Sequence, residues 1–156
     1  MLRIGLYQPD IPQNTGTIVR LGACLGVAVD IIGPAGFAMT DKAFRRAGMD
    51  YLERATVTRH LSWEAFRASD PVRRRRLVLL TTQADLAYTD FTFHRDDTLL
   101  LGRESAGVPD TVHASVADRI RIPMQSGTRS LNVALACAMV LGEALRQTAG
   151  FPAHSA

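Results

Sequence analysis

Apolar residues alternate with other residues at the start of the chain. Leu2, Ile4 and Leu6 occupy every second position there, which is the period of a β-strand with one face against a core. Residues 77–80 and 99–101 are instead continuous apolar runs, a pattern typical of central parallel strands covered on both faces. Further strands are predicted at residues 27–32 and 120–122, and a weaker one at residues 55–58.

Capping residues and apolar spacing predict helices between these strands. Asn and Ser favour helix starts, and Gly26, Gly48 and Gly150 are suited to helix ends. The long C-terminal segment is rich in small and apolar residues and almost uncharged, so we expect burial on most of its sides. The predicted helices and their capping residues are 14–26 with Asn14, 41–48 with Asp41, 63–68 with Ser62, and 131–147 with Ser130.

The order of these elements predicts the fold class. Strands alternate with helices throughout, which favours an α/β protein with a parallel sheet flanked by helices. The length of 156 residues is that of one domain, which we place at residues 1–150 with a short tail at 151–156.

Composition fits a protein with an ordinary core. A hydrophobic content of 47% is sufficient to fold without disulfides or a structural metal. Cys24 and Cys137 lie in predicted helices and are expected to be buried, reduced thiols. The four histidines have no metal-ligand spacing, and no secretion signal or long apolar run is present. We therefore expect a soluble cytoplasmic protein without a metal.

The charge of the chain permits an anionic partner. The net charge is +3, and all of the 18 basic residues except Lys42 are arginine, whose planar guanidinium suits phosphate. Biased codon usage would give the same composition, so charge alone does not establish RNA binding. Arg45, Arg46 and the run at 73–76 are candidate phosphate contacts, and for the run a solvated basic face is an equal alternative.

Common nucleotide-binding and hydrolase motifs are absent from the sequence. No G-x-G-x-x-G follows the first strand, and there is no Walker loop and no G-x-S-x-G elbow. These absences count against nicotinamide dehydrogenases, ATPases, GTPases and α/β-hydrolases.

Three polar loops at predicted strand ends remain, where α/β proteins place ligands. In residues 14–20, Arg20 lies less than two turns into the first helix, so its side chain can reach back over the loop. In residues 101–109, two glycines flank Glu104, which either fixes the turn or caps a helix. In residues 122–134, Asn132 offers a donor and an acceptor in the first turn of the last helix. Each loop taken singly also fits an ordinary capped helix.

Taken in order, the loops resemble the motifs of the SPOUT superfamily of RNA methyltransferases, SpoU/TrmH branch. Residues 14–20 match N-x-x-x-x-x-R, residues 102–107 match G-x-E-x-x-G, and residues 122–132 contain I-P-M and S-L-N. Within that branch, residues 11–16 and 44–51 are similar to the tRNA (cytidine/uridine-34) 2′-O-methyltransferases. The resemblance extends from Met1 to about residue 147.

The resemblance implies a fold, a cofactor and partners. Members bind S-adenosylmethionine in a C-terminal trefoil knot, act as homodimers through the last helix, and methylate the ribose 2′-hydroxyl of tRNA. By the motif match, the cofactor site is expected at Leu80, Gly102, Ile122 and Ser130. Leu80 and Ile122 would also provide the apolar faces that an adenine needs.

The resemblance also implies that Arg20 is the catalytic residue, with Arg45 and Arg46 binding RNA. Because arginine stays protonated, we expect Arg20 to orient a phosphate and to stabilise negative charge on the attacking oxygen rather than to act as a base. The chain departs from the pattern at Gly142, where related wobble-position enzymes commonly carry tyrosine. A tyrosine role at the dimer interface is therefore in doubt.

Three other functions remain open from the sequence. The same chemistry could act on another tRNA position or on ribosomal RNA. A non-catalytic RNA-binding module could retain the fold, although the presence of Arg20, Gly102, Glu104 and Asn132 speaks against it. A small-molecule α/β enzyme is disfavoured because no other cofactor loop is present.

Overall fold

The computed structural model describes residues 1–153 and contains one parallel sheet with helices on both faces. Its six strands follow the order β3-β2-β1-β5-β4-β6, and every neighbouring pair is parallel. The predicted fold class, a parallel sheet flanked by helices, is therefore confirmed. The strands are β1 (Arg3–Tyr7), β2 (Ala28–Ile32), β3 (Val57–His60), β4 (Arg76–Leu80), β5 (Asp97–Leu101) and β6 (Asp118–Ile120).

The register of the strands places apolar side chains on both faces of the sheet. Ile4 pairs with Val29 on one side and with Leu99 on the other, and all three are at most 2% exposed. Their face forms the larger core cluster, whereas Leu77, Leu79 and Leu100 belong to a second cluster on the opposite face. The continuous apolar runs arise because β4 and β5 are covered on both sides.

Helices fill the connections between the strands. α1 and α6 pack on the face of the larger cluster, and residues of α3, α4 and α5 pack on the other face. The helices are α1 (Pro12–Leu25), α2 (Lys42–Gly48), α3 (Trp63–Ala68), α4 (Asp70–Arg73), α5 (Asp110–Ser115) and α6 (Val133–Gln147), with 3-10 turns at Met49–Glu53 and Tyr88–Asp90. α4 and α5 were not predicted, since both are too short to show a helical period and, unlike α3, neither begins with a side-chain cap.

Three predicted helix boundaries are confirmed. Asp41 accepts hydrogen bonds from the backbone of Ala43 and Phe44 at the start of α2, and Ser62 accepts one from Ala65 at the start of α3. Gly26 ends α1 in the left-handed conformation with φ 66°, which costs glycine no steric penalty.

Two predicted N-caps are wrong. α1 begins two residues before Asn14, with Pro12 in its first turn, because proline is already set at a helical φ and loses no hydrogen bond there. α6 is capped by Asn132 rather than by Ser130, since the Asn132 side chain accepts from the backbone of Ala134 and Leu135. Asn14 is thereby free for contacts with other loops.

Short strands were predicted at the correct places with shifted ends. β3 lies two residues later than the predicted 55–58, and β6 two residues earlier than the predicted 120–122. In the second case Arg121 pairs with Ala87 outside the sheet. Such short segments carry too few residues for alternation to fix their ends.

The expected burial of α6 and of the cysteines is only partly observed. Cys137 is buried on α6, and burial raises the pKa of its thiol to about 12. Cys24 lies exposed on α1, so the prediction that both thiols are buried is wrong. α6 also presents an apolar stripe to solvent, with Leu135 61% and Met139 43% exposed.

Two observations concern the chain as a whole. No helix within residues 1–153 is both long and apolar enough to cross a membrane. Of the predicted tail, residues 154–156 lie outside the described part of the chain, and His154 with them.

Candidate active site

A cavity of about 510 Å³ opens at the carboxyl ends of β4 and β5. It is lined by the connections that follow β4, β5 and β6 and by the start of α6. All four residues predicted for the cofactor site, Leu80, Gly102, Ile122 and Ser130, line this one cavity. The topology explains this, because parallel strands bring their carboxyl ends to the same edge of the sheet.

A tight loop after β5 forms one wall of the cavity. Arg103 and Gly107 exchange backbone hydrogen bonds of 3.0 Å and 2.8 Å, and Gly107 has φ 63°. A Cβ at Gly102 would lie 2.5 Å from the carbonyl carbon of Gly107. Glycine is therefore required at 102 by close backbone approach and at 107 by its left-handed conformation.

Glu104 joins this loop to the loop after β1. Its carboxylate accepts from the Asp10 backbone N–H at 3.1 Å and from Asn14 Nδ2 at 3.4 Å, while Asp10 Oδ1 accepts from the Glu104 backbone N–H at 3.1 Å. Both predictions for Glu104 are therefore wrong, because its side chain neither caps a helix nor closes its own turn.

The two carboxyl groups of this contact differ in acidity. Burial raises the pKa of Glu104 above its ordinary value, and the contact with Asp10 adds to the increase. Hydrogen bonding to Glu104, aided by Ser105, lowers the pKa of Asp10. Of the two carboxyl groups, Glu104 is therefore the weaker acid.

The third loop contacts the first through two asparagines. Asn132 Nδ2 donates to Asn14 Oδ1 at 2.9 Å, and both residues line the cavity. One side of the cavity is therefore bordered by a chain of hydrogen-bonded side chains from Asn132 through Asn14 to Glu104, which joins all three predicted loops.

Several cavity residues were missed by sequence reasoning. Arg103 lines the wall, donates to the side chain of Gln8, and lies 5.9 Å from the ring centroid of Tyr7. Asp110 and His113 reach the cavity from α5. The position of Arg103 inside the G-x-E-x-x-G loop could have identified it, whereas α5 left no signal in the sequence.

Arg20 lies away from the cavity of its own chain. Its Nη1 is 3.1 Å from Met49 Sδ, and its Cζ is 5.0 Å from the ring centroid of Tyr51. The prediction that Arg20 reaches back over its own loop is therefore wrong. The reason is the helix itself, since Asn14 and Arg20 lie on different sides of α1, about 9 Å apart along its axis.

The candidate phosphate contacts divide into two groups. Arg45 and Arg46 lie exposed in the last turn of α2, and Arg73 and Arg74 are exposed as well. Arg76 instead forms an ion pair at 2.7 Å with the fully buried carboxylate of Asp97, so the prediction of a phosphate contact is wrong for this residue.

The guanidinium of Arg75 also forms hydrogen bonds within the protein. It donates to Thr98 Oγ1 at 3.1 Å and to the carbonyl oxygen of Met1. Its guanidinium therefore anchors the residue before β4 to β5 and to the N-terminus and is not available to a phosphate.

Among residues 1–153, no group of three or more His, Cys, Asp or Glu side chains is arranged to hold a metal ion.

Comparison with a family model identifies similarity along most of the chain. The model of the SpoU rRNA methylase family matches residues 1–142. The matched range includes all six strands and the three loops around the cavity.

Individual proteins are similar over almost the whole length. A tRNA (cytidine(34)-2′-O)-methyltransferase of Beijerinckia indica is 63% identical over 144 residues, which cover 92% of this chain and 90% of that protein. A tRNA (cytidine(34)-2′-O)-methyltransferase of Escherichia coli K12 is 43% identical over 155 residues, which cover 97% of this chain and 96% of that protein.

A solved structure has a similar fold. It is described as giving structural insights into the 2-OH methylation of C/U34 on tRNA. It superimposes with a TM-score of 0.88 at 37% identity, covering 94% of this chain and 95% of that one.

Proposed function

The chain belongs to the SpoU rRNA methylase family, and from this we propose that it transfers a methyl group from S-adenosylmethionine to the ribose 2′-oxygen of nucleotide 34 of tRNA in the cytoplasm. The observation that carries the proposal is the single cavity built by all three predicted loops. Two relatives, 63% and 43% identical to the chain, bear the name of this activity, and the matches cover 90% and 96% of their lengths.

The cavity fits S-adenosylmethionine in size and chemistry. Its volume of about 510 Å³ lies within the range of small-molecule sites, roughly 300–1,000 Å³. Leu80 and Ile122 offer apolar surface to an adenine ring, and Ser130 and the backbone of Gly102 offer polar atoms. When bound, S-adenosylmethionine supplies a methyl group that is electrophilic because it is attached to a sulfonium.

We assign the activation of the 2′-oxygen to Arg20. A guanidinium stays protonated, so Arg20 stabilises negative charge developing on the oxygen and orients a neighbouring phosphate. Arg45 and Arg46, exposed at the end of α2, bind the phosphates of the RNA strand.

The protein acts as a homodimer in this proposal. Leu131, just before α6, and Leu135 and Met139 on it form an exposed apolar stripe, 40%, 61% and 43% exposed respectively, and a second copy would cover it. Because Arg20 does not line the cavity of its own chain, the second copy is also the natural source of the arginine that acts at each cavity.

A trefoil knot near the C-terminus completes the proposed fold. The connection between β4 and β5 contacts the chain both before and after the third loop. Arg121 N–H donates to the carbonyl of Leu86 at 2.9 Å, and Gln147 Nε2 donates to the carbonyl of Phe91 at 3.0 Å. These contacts support the passage of the C-terminal segment through that connection.

Transfer of a labelled methyl group tests the proposed function. The purified protein is mixed with labelled S-adenosylmethionine and, in parallel reactions, with tRNA from cells that lack the modification or with ribosomal RNA. Labelled RNA is cut into sequence-specific fragments to locate the label, and the labelled fragment is then digested to nucleosides. We expect the label in 2′-O-methylcytidine or a 2′-O-methyluridine derivative from position 34. Label at another tRNA position or only in ribosomal RNA would overturn the assignment of the nucleotide, and binding of tRNA without transfer would indicate an RNA-binding module.

A further inference from the structure

We propose that Tyr51, together with Met49, is a positioning residue for Arg20, holding its guanidinium charged and unpaired at the RNA-facing end of α2. The inference rests on the proposed function, since it concerns the arginine that we assign to the reaction. It adds two residues from outside the three predicted loops.

Two contacts orient the guanidinium. Arg20 Cζ lies 5.0 Å from the centroid of the Tyr51 ring, within the distance of about 6 Å at which a cation is attracted to an aromatic face. On the same group, Nη1 lies 3.1 Å from the sulfur of Met49. A long exposed side chain would otherwise sample many rotamers, so these contacts restrict where its charge is presented.

The backbone conformation places Arg20 close to Met49 and Tyr51. A Cβ at Gly16 would lie 2.4 Å from the carbonyl oxygen of Phe44, so glycine lets α1 and α2 approach closely one turn before Arg20. Met49 then adopts φ 51° directly after α2, a conformation that is unfavourable for a residue with a side chain. The strained turn directs the 3-10 segment with Tyr51 towards α1.

The charge of Arg20 is left uncompensated by this arrangement. None of the ion pairs within residues 1–153 includes Arg20, whereas Arg3, Arg75 and Arg76 each have a carboxylate partner. A carboxylate would orient a guanidinium equally well, but it would compete with a phosphate or a developing oxyanion. An aromatic ring and a thioether orient the group without neutralising it.

The test changes the electron distribution of the ring and keeps its shape. Tyr51→Phe retains the aromatic face, and replacement of Tyr51 by pentafluorophenylalanine removes its attraction for a cation. We expect Tyr51→Phe to keep kcat for tRNA methylation within about twofold of wild type. The fluorinated ring should lower kcat about two- to fivefold below Tyr51→Phe, with the KM for S-adenosylmethionine unchanged.

A matched control separates this effect from general destabilisation. Arg76 lies 4.8 Å from the ring centroid of Phe91, and neither residue of this cation–aromatic pair lines the cavity. Pentafluorophenylalanine in place of Phe91 should lower the thermal unfolding midpoint and leave kcat unchanged. Equal kcat for the Tyr51→Phe and fluorinated proteins would overturn the inference, as would equal losses at both positions.

A second measurement does not depend on activity. The Nε–Hε resonance of Arg20 in NMR spectra is shifted by the nearby Tyr51 ring, and Tyr51→Leu should move it towards the position of a free arginine. An unchanged resonance would contradict the contact itself. If Arg20→Ala abolishes methylation but Tyr51→Leu leaves the Arg20 resonance unmoved, the proposed function is retained and only the inference is rejected.

Discussion

Asn132 Nδ2 donates a hydrogen bond of 2.9 Å to Asn14 Oδ1, joining two loops that lie 118 residues apart in the chain. The same Asn132 side chain uses its oxygen to cap α6, accepting from Ala134 at 2.9 Å and Leu135 at 3.3 Å. One amide thus starts the last helix and fixes the first loop of the cavity, a combination that an ionised carboxylate could not provide because it has no donor.

Substitution of Asn132 separates these two roles. Asn132→Ala should lower the free energy of unfolding by about 1 kcal/mol through loss of the cap. Asn132→Asp keeps the cap but loses the donor to Asn14, so we expect near-wild-type stability with weaker binding of S-adenosylmethionine. Urea denaturation and calorimetry measure the two effects, and wild-type affinity in Asn132→Asp would show that the bond to Asn14 does not shape the cavity.

The backbone approach at Gly102 predicts a loss of cofactor affinity. In Gly102→Ala the added methyl meets Gly107 at 2.5 Å, so the loop must open. Overpacking of this kind costs about 1–3 kcal/mol, which corresponds to a roughly 5- to 150-fold weaker affinity if the bound form alone needs the closed loop. Gly142→Ala, where nothing lies within 4 Å of the added carbon, should bind normally, and a similar affinity for both variants would contradict this account.

The raised pKa of Glu104 predicts a pH-dependent stability. The folded protein retains this proton at pH values where the unfolded chain, with its ordinary pKa of 4.5, has lost it. The contribution of Glu104 to stability therefore falls as pH rises above about 4.5. The lowered pKa of Asp10 has the opposite effect, since its contribution to stability is lost as pH falls below the ordinary value of 3.8. Glu104→Gln removes the first effect, and a comparison at pH 4.5 and above stays above the ordinary pKa of Asp10, whose own shift depends on Glu104.

The comparison is made between two pH values. Denaturation of wild type and Glu104→Gln at pH 4.5 and at pH 7 should show the variant gaining stability relative to wild type as the pH rises. If the difference in unfolding free energy between the two proteins is the same at both pH values, ionisation of Glu104 does not destabilise the folded protein.

The exposed stripe of α6 predicts the oligomeric state. Leu135→Glu places a charge on a side chain that is 61% exposed in the single chain, so the monomer fold should tolerate it and the dimer should not. Sedimentation should then give a monomer without methylation activity, whereas Ala65→Glu on the exposed side of α3 should remain dimeric and active. A dimeric Leu135→Glu protein would place the interface elsewhere.

Much of the fold could be predicted because its signals are local. The continuous apolar runs of β4 and β5, the Asp41 and Ser62 caps, and the left-handed Gly26 each depend on a few neighbouring residues. The family resemblance was confirmed, and its motifs located the cavity through Leu80, Gly102, Ile122 and Ser130. Their roles in binding stay predictions, as do the trefoil knot and the homodimer.

The features that could not be predicted depend on contacts between segments that are distant in the sequence. The partner of Glu104 lies 94 residues away, and no local pattern distinguishes this carboxylate from a helix cap. Arg75 and Arg76 belong to a basic run, but contacts with Thr98 and Asp97 on the neighbouring strand remove them from the candidate RNA contacts. For Arg20, the sequence indicated the residue but not the direction of its side chain, which is set by the packing of α1 on α2 and Tyr51.

The most direct measurement compares two synthetic tRNAs that differ only in the ribose of residue 34. One carries cytidine and the other 2′-deoxycytidine, and both are incubated with the protein and labelled S-adenosylmethionine. We predict transfer to the cytidine tRNA and none to its deoxy counterpart, with transfer to the former lost in Arg20→Ala. Equal labelling of both tRNAs would contradict the account, because the methyl group would then be placed on an atom other than the 2′-oxygen of residue 34.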